Sequence, residues 1–277
     1  PLNWRVFMEN APGYAFLEEG FRLLDALLDW CEEYKIYAVL DLHGAPGGQT
    51  GANIDDCFDD RPRLFTDPES RAAALKLWRE IARRYKDRWI VAAYDLLNEP
   101  LRPAHDARYP AIPDYRRELA AFYRDAIAVI REEDARHTVQ LEGRQWASRA
   151  DIFDAKWDEN MVIHFHRYWC RPDLAVYREF LAKSEELDVP LYLGETGENR
   201  SEWYAAMYPL AFSLGIGVNV WPWKKMACDN SPYSVRVPDG WEKIQSFARG
   251  GARPAASDAQ AALESYLENM KLEHCEY

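Results

Sequence analysis

The amino-acid sequence predicts an α/β fold, a single (β/α)8 TIM barrel that spans residues 1–277. Two observations favour it: short apolar runs alternate with amphipathic helical segments, and polar residues follow many of the runs. Strands that alternate with helices form parallel sheets with right-handed crossovers. One barrel of this class occupies about 250 residues, so the 277 residues fit one domain, and no internal repeat or linker interrupts them.

A doubly wound sheet is the other α/β architecture that this alternation allows. No GxGxxG or GxxxxGK[ST] motif follows any of the apolar runs, which disfavours a nucleotide-binding sheet of that kind. Polar residues at the ends of several different strands are typical of a barrel, whose site is built from the C-terminal ends of many strands.

Seven apolar runs are predicted strands, because parallel strands buried on both faces read as continuous Val, Ile and Leu. They are Trp4–Met8, Ile36–Leu42, Ile90–Leu97, Thr138–Leu141, Met161–Tyr168, Pro190–Gly194 and Ile216–Trp221. A complete barrel has eight strands. Since the chain opens almost inside a strand, we expect the first strand to lie upstream of Pro1.

Three segments between these strands carry apolar residues at helical spacing, within residues 21–31, 74–85 and 115–130. The second of them begins with Asp67-Pro68, which predicts an N-cap followed by proline at the first helical position. Two more helices are predicted, near Trp203–Leu214 and over Ala259–Met270.

Composition excludes several classes of partner. Acidic residues number 46 and basic residues 34, whereas nucleic-acid binding depends on basic contacts to phosphate. Anionic membranes are disfavoured for the same reason, and no run of 18 apolar residues predicts a membrane-spanning helix. The five cysteines are widely spaced without a CxxC motif, so we expect neither a disulfide framework nor a zinc site. Neutral substrates remain, and no cofactor or metal is predicted.

Two glutamates end apolar strands. Glu99 follows Leu96-Leu97-Asn98, and Glu195 follows Leu191–Gly194. Pro100 biases Glu99 toward an extended backbone, and both carboxyl groups are expected at the mouth of the barrel. Hydrolysis of a glycosidic bond uses such a pair: one acid protonates the leaving oxygen and one carboxylate acts on the opposite face of the sugar. Their pKa values must differ, so that one group is protonated while the other is ionised.

An ordered set of motifs, from about Trp4 to Lys225, resembles glycoside hydrolase family 5, the cellulase family. The set comprises Asp41-Leu42-His43-Gly44-Ala45-Pro46-Gly47-Gly48-Gln49, Asn98-Glu99-Pro100, His166-Arg167-Tyr168, Gly194-Glu195 and Trp221. The first stretch is most similar to the exo-β-1,3-glucanase branch and its relatives. The resemblance implies a (β/α)8 barrel that degrades carbohydrate: a retaining β-glycoside hydrolase for a neutral β-linked glucan or oligosaccharide.

By that resemblance, Glu99 is the general acid/base and Glu195 the nucleophile. Arg5, on the first predicted strand, would keep the nucleophile ionised, because an arginine beside a carboxylate lowers its pKa. Tyr168 would hydrogen-bond the nucleophile. The two carboxyl groups of a retaining enzyme lie about 5–5.5 Å apart.

The resemblance also implies the residues that hold the sugar. His43 and Asn98 would contact the ring whose bond is cleaved, Trp221 would stack beneath it, and His166 would lie near the acid/base. His164 and His166 alternate on one strand, and we expect only one of them, His166, to face the barrel.

Related enzymes often hold a cis peptide bond after this tryptophan. Pro222 follows Trp221 here, and a cis bond before proline costs only about 0.5–1 kcal/mol. We therefore predict a cis bond at Pro222.

Polar residues outside the family motifs are candidate substrate contacts or ordinary solvated loop residues. They are Asn53, Asp55 and Asp56 in the loop after Gly51, and Lys224 or Lys225 after the last strand. Glu198 is expected to form an ion pair in its loop.

Three alternatives remain open. A β-mannan or β-mannoside hydrolase would use the same site. A metal-dependent hydrolase on the same barrel would use His164 and His166, although the chain has six histidines and no second cluster at another strand end. A non-catalytic sugar-binding barrel is the third.

Overall fold

The structure, a computed structural model, describes residues 1–55, 57 and 59–276. In this part of the chain seven strands hydrogen-bond in chain order within one sheet, and the pairs from the first to the fifth strand are parallel. The strands are β1 Leu2–Asn3, β2 Ala38–Gly44, β3 Val91–Asp95, β4 Thr138–Glu142, β5 Met161–Tyr168, β6 Leu191–Gly197 and β7 Gly217–Trp221. This order confirms the predicted succession of parallel strands, and six of the seven predicted segments overlap a strand of this sheet.

Helices lie between most of the strands, as the alternating pattern predicts. They are α1 Trp4–Phe7, α2 Glu18–Tyr34, α3 Pro68–Tyr85, α4 Arg116–Arg131, α5 Arg144–Ala147, α6 Arg178–Leu187, α7 Ser201–Ser213, α8 Trp241–Ala248 and α9 Ala256–Asn269. Short 3-10 turns occupy Asn53–Asp55, Arg63–Phe65, Leu174–Val176 and Leu272–His274.

The prediction of a strand over Trp4–Met8 is wrong. The strand β1 ends at Asn3, whose side-chain oxygen accepts a hydrogen bond from the Arg5 amide and so caps the short helix α1. Trp4 and Phe7 are the buried residues of this helix. Their separation of three residues is a helical spacing, whereas the apolar residues at 4, 6 and 8 give the false impression of a strand.

The described chain forms two compact units. The first contains residues 1–166 and 174–193, and the second contains residues 167–173 and 194–277. The strands β5 and β6 each contribute residues to both units. The single domain of the sequence analysis stays a prediction.

The helix α3 fixes the end of β3 in the first unit. The Asp67 side chain accepts bonds from the amides of Glu69 and Ser70, which confirms the predicted N-cap. Trp78 on this helix is fully buried, and its indole N–H donates to the carbonyl oxygen of Leu96, at 3.2 Å. This hydrogen bond holds the backbone that leads into Asn98 and Glu99. Truncating a buried tryptophan to alanine lowers the free energy of unfolding by about 3–5 kcal/mol.

In the second unit a glycine brings β6 close to β7. A Cβ atom on Gly197 would lie 2.3 Å from the carbonyl oxygen of Trp221, and Gly197 has a φ of +156°. No other residue fits this close approach. Two further strands, β8 (Lys224–Met226) and β9 (Tyr233–Val235), pair in parallel beyond β7.

None of the five cysteines, all within the described residues, forms a disulfide. No helix in the described chain has the length and apolar character needed to cross a membrane.

Candidate active site

In the first unit, Glu99 lies just after β3 on a left-handed backbone. Its φ is +45°, so the extended conformation expected before Pro100 is wrong. Hydrogen bonds determine the observed geometry: the Glu99 amide donates to Oε2 of Glu142 at 2.6 Å, and the Leu101 amide donates to the carbonyl of Gln49 at 3.0 Å. Surrounding contacts of this kind are what retain a non-glycine residue in such a region.

The side chain of Glu99 is oriented by a histidine. Nδ1 of His166 on β5 lies 2.8 Å from Oε1 of Glu99, at hydrogen-bond distance. The imidazole of His166 is 1% exposed, whereas the Glu99 side chain is 16% exposed. The carboxyl group is therefore held from the buried side and open on the other.

Both histidines of β5 face the same interior. Nε2 of His164 lies 3.1 Å from Nε2 of His166, and both side chains are buried. The expectation that only one of them faces inward is wrong, because residues two apart on a strand point to the same face. His164 also hydrogen-bonds the carboxylate of Asp95, the last residue of β3.

Glu142, which the sequence analysis missed, completes this buried group. It ends β4, and its Oε1 lies 3.3 Å from Nδ1 of His164 and 3.3 Å from Nε2 of His166. Burial raises its pKa to about 7, against the opposing effect of the two imidazoles. Burial raises the pKa of Asp95 for the same reason. The motif Leu141-Glu142-Gly143 is a strand-end carboxylate like Glu99 and Glu195, and this was the signal that could have found it.

His43 pairs with a carboxylate on its own strand. Its Nε2 lies 2.7 Å from Oδ2 of Asp41, two residues earlier on β2. Burial acts to raise the pKa of Asp41, but the imidazoles of His43 and His164 and the N-terminal amine together outweigh it, so the pKa is lowered. The His43 ring therefore lies on the face of β2 that Asp41 shares.

Asn98 is buried beside Glu99, and its backbone is held on two sides. Its amide donates to the carbonyl of Leu42 at 3.0 Å, and its carbonyl accepts from Nε2 of Gln49 at 2.9 Å. The same Gln49 nitrogen donates to the carbonyl of His43, and its side-chain oxygen accepts from the Ala45 amide. Oδ1 of Asn98 is buried, and no described residue donates a hydrogen bond to it.

Asp55 builds the loop after β2. It is 1% exposed, and its carboxylate accepts bonds from the amides of Gln49, Thr50 and Cys57. This placement inside the loop argues against the substrate contact expected from sequence. The backbone of Asn53 lies in a 3-10 turn, its side chain is not described, and Asp56 lies outside the described residues.

The backbone of Arg5 lies in α1 rather than in a strand, and the expected role of its guanidinium beside the nucleophile stays a prediction. Arg5 is exposed, and its guanidinium contacts Oδ1 of Asn10 and lies over the ring of Trp4.

In the second unit, Glu195 lies within β6, which extends to Gly197 and so beyond its predicted end. The Glu195 side chain is buried at 6% exposure, and its Oε2 accepts a hydrogen bond from the Tyr168 hydroxyl at 2.9 Å. Tyr168 is the last residue of β5. The second carboxylate therefore has a phenol donor as its partner.

The peptide bond between Trp221 and Pro222 is cis, as predicted. Trp221 ends β7 and is half-buried. Nζ of Lys224 donates to the carbonyl of Met270 at 2.5 Å, a structural contact rather than an open cation. Lys225 pairs with Glu198 at 2.6 Å, which confirms the expected ion pair of Glu198.

A cavity of about 510 Å³ in the second unit has aromatic and polar walls. The residues that line the cavity include Asn199, Tyr204, Tyr208, Trp223, Asp229 and Asn230. Of these, Trp223 is 56% exposed. Aromatic faces combined with a few polar groups are the usual composition of a small-molecule site.

Residues 1–226 match the model of the family Cellulase (glycosyl hydrolase family 5). The chain belongs to this family and is a glycosidase.

Curated relatives carry several activities. The chain is 33% identical to a β-xylosidase of Phanerodontia chrysosporium, over 61% of this chain and 33% of that protein. It is 28% identical to Endoglucanase C of Acetivibrio thermocellus, over 90% of this chain and 85% of that protein. It is 27% identical to a glucan 1,3-β-glucosidase of Candida oleophila, over 61% of this chain and 39% of that protein. The chain thus spans about a third of the β-xylosidase and most of Endoglucanase C.

Solved structures share the fold. Cel5A of Thermotoga maritima, a mutant form in complex with cellobiose, aligns with a TM-score of 0.62 at 18% identity, over 96% of this chain and 82% of that one. The lactosyl-enzyme intermediate of endo-glycoceramidase II from Rhodococcus sp. aligns with a TM-score of 0.62 at 21% identity, over 80% of this chain and 63% of that one. The (β/α)8 class of the fold is confirmed.

Proposed function

We propose that the chain is a retaining β-glycosidase that cleaves a neutral β-linked glucan or oligosaccharide, with Glu99 as acid/base and Glu195 as nucleophile. The observation that carries the proposal is the pair of strand-end carboxyl groups with different partners. An imidazole contacts Glu99, and a phenol donates to Glu195. Different environments for two carboxyl groups are what separate an acid from a nucleophile.

In the first step the Glu195 carboxylate attacks the anomeric carbon, and the bond to the leaving oxygen breaks. Glu99 gives its proton to that oxygen, so the first product leaves as a neutral alcohol. In the second step Glu99, now ionised, removes a proton from water. The water oxygen bonds to the anomeric carbon and displaces Glu195, which returns both groups to their starting states.

The sugar contacts are proposed for His43, Asn98 and Trp221. Oδ1 of Asn98 is buried and accepts no bond from a described residue, which supports a contact with a ring hydroxyl group. Hydrogen bonds to the 2-hydroxyl group strengthen in the transition state. The half-buried indole of Trp221 supports stacking against a sugar ring. Lys224 and Asp55 are not needed, because each is already bonded to backbone groups.

The two alternatives from other classes have less support. His164 and His166 contact Asp95, Glu99 and Glu142, an arrangement that hydrogen bonding accounts for. Membership of the glycosidase family argues against a non-catalytic barrel. A β-mannan or β-mannoside substrate fits the same pair of carboxylates, and the name of one relative adds β-xylosides as a further candidate.

A hydrolysis screen tests the proposal. Aryl β-glucoside, β-mannoside and β-xyloside, with laminarin, cellulose oligomers and mannan, cover the candidate substrates. Glu195→Gln should abolish turnover of every substrate that the wild type cleaves, because the amide cannot act as the nucleophile. An activated 2-deoxy-2-fluoro glycoside should label Glu195 covalently in the wild type, as seen by peptide mass spectrometry.

Glu198→Gln is the matched control, since Glu198 lies three residues further and pairs with Lys225. It should keep the activity. Activity that persists in Glu195→Gln, or a label on another residue, would remove the assignment of the nucleophile.

A further inference from the structure

Glu142 reaches Glu99 through both of its carboxylate oxygens. It is fully buried at the end of β4 and takes no part in the two-step reaction above. Oε2 accepts the hydrogen bond from the Glu99 amide at 2.6 Å. Oε1 lies 3.3 Å from Nε2 of His166, whose other nitrogen contacts the Glu99 carboxyl. One side chain thus contacts both the main chain of Glu99 and the residue that orients its side chain.

The backbone contact matters because Glu99 has a left-handed conformation. Residues with a Cβ atom avoid this region, and the cost of occupying it is about 1–3 kcal/mol. Leu101, two residues later, is also left-handed, with a φ of +56°. Its carbonyl accepts a bond from the Gln145 amide at 2.6 Å. The end of β4 and the helix α5 therefore hold the loop after β3 at two places, through Glu142 and Gln145.

Several elements present charged or titratable groups to Glu142. His164 and His166 face Glu142 from β5. Asp95 on β3 and Asp41 on β2 are also close: one carboxylate oxygen of each of these residues and one of Glu142 lie within 4.8 Å of one another. On the side of α4, the hydroxyl of Tyr123 donates to the carbonyl of Glu142 at 2.8 Å. Burial raises the pKa of Glu142 to about 7. No described residue of α4 places a carboxylate or a cation against its side chain.

We propose that Glu142 is a positioning residue for the acid/base: it holds the backbone of Glu99 in its left-handed conformation and, through His166, directs the carboxyl group. The inference rests on the proposed role of Glu99. Loss of Glu142 should mainly impair protonation of the leaving group, because a misplaced acid reduces proton transfer while attack by the nucleophile continues.

The test compares leaving groups in Glu142→Ala. The substrate is an aryl glycoside of whichever sugar the wild type cleaves. For a phenyl glycoside, whose leaving group needs protonation, we expect kcat/KM to fall about 100-fold or more. For a 2,4-dinitrophenyl glycoside, whose phenolate leaves unprotonated, the fall should be less than about tenfold. Glu99→Ala should show the same selectivity, and the double variant should add little to it.

Val139→Ala is the matched control, because Val139 is buried on the same strand but does not contact Glu99. It should affect the two leaving groups equally. An equal loss for both leaving groups in Glu142→Ala would overturn the positioning role. If that variant does not fold, Glu142→Leu, which also cannot accept the bond from the Glu99 amide, carries the test with the same criterion. A wild type that cleaves no aryl glycoside would instead overturn the proposed function.

Discussion

At the scale of single residues, the titration of Glu142 links the site to stability. Burial raises its pKa from 4.5 to about 7 in the folded protein, while in the unfolded chain the group titrates near its ordinary value. Between these pH values the folded state binds more protons than the unfolded state. The contribution of Glu142 to the free energy of unfolding therefore falls as the pH rises through this range.

Glu142→Gln removes this titration, because an amide does not ionise. Relative to the wild type, the free energy of unfolding of the variant should increase between pH 4.5 and pH 7, by up to about 3 kcal/mol. Urea unfolding at four pH values measures it. Glu118→Gln, on the exposed face of α4, should show no such trend. Curves for Glu142→Gln and wild type that stay parallel would contradict the raised pKa.

The sequence located some site residues and missed others for identifiable reasons. Glu99 and Glu195 were found because each follows an apolar run and stands in a recognisable motif. Asp95 was missed because it lies within the apolar run Ile90–Leu97, and the sequence pattern does not show that this carboxylate is paired with a histidine. The left-handed backbone of Glu99 depends on the Glu142 side chain 43 residues away, a contact that local rules about proline do not contain.

At the scale of elements, the N-cap of α3 has a measurable effect. Asp67 accepts bonds from two amides at the start of the helix. Asp67→Ala should therefore lower the free energy of unfolding by about 1 kcal/mol, as measured by urea unfolding. Glu69→Gln, which removes a charge from the same turn but no cap bond, should cost less. Equal losses in the two variants would show that charge, rather than the cap, stabilises this end.

Prediction of elements succeeded where the apolar period was strong. The segments that became α2, α3 and α4 bury a continuous face. The helices α6 and α8 were missed because α6 buries only Phe180 and α8 buries no residue fully. Without a buried stripe, a helix leaves little periodicity in the sequence.

At the scale of the whole molecule, the strands β5 and β6 suggest cooperative unfolding. Each strand contributes residues to both compact units, so loss of either strand removes structure from both. We expect one transition, with thermal unfolding followed by far-ultraviolet circular dichroism and by tryptophan fluorescence having the same midpoint. Two separated midpoints would contradict the single-domain prediction.

The net charge of −12 belongs to this scale as well. The strand-end carboxylates account for little of it, since the acidic residues number 46. Many of them pair with arginines on the protein surface, as Glu80 does with Arg83 and Arg84. The charge therefore disfavours anionic partners but does not identify which carbohydrate is the substrate.

The side chain of Gln49 restricts how this enzyme can be redesigned. Its oxygen accepts from the Ala45 amide, while its nitrogen donates to the carbonyls of His43 and Asn98. A glutamate at this position could not donate to the two carbonyls, and a lysine could not accept from the amide. Neither charged residue can therefore make all three hydrogen bonds. Loop grafts intended to change the sugar specificity must therefore carry this amide with them, or supply its three hydrogen bonds from another residue.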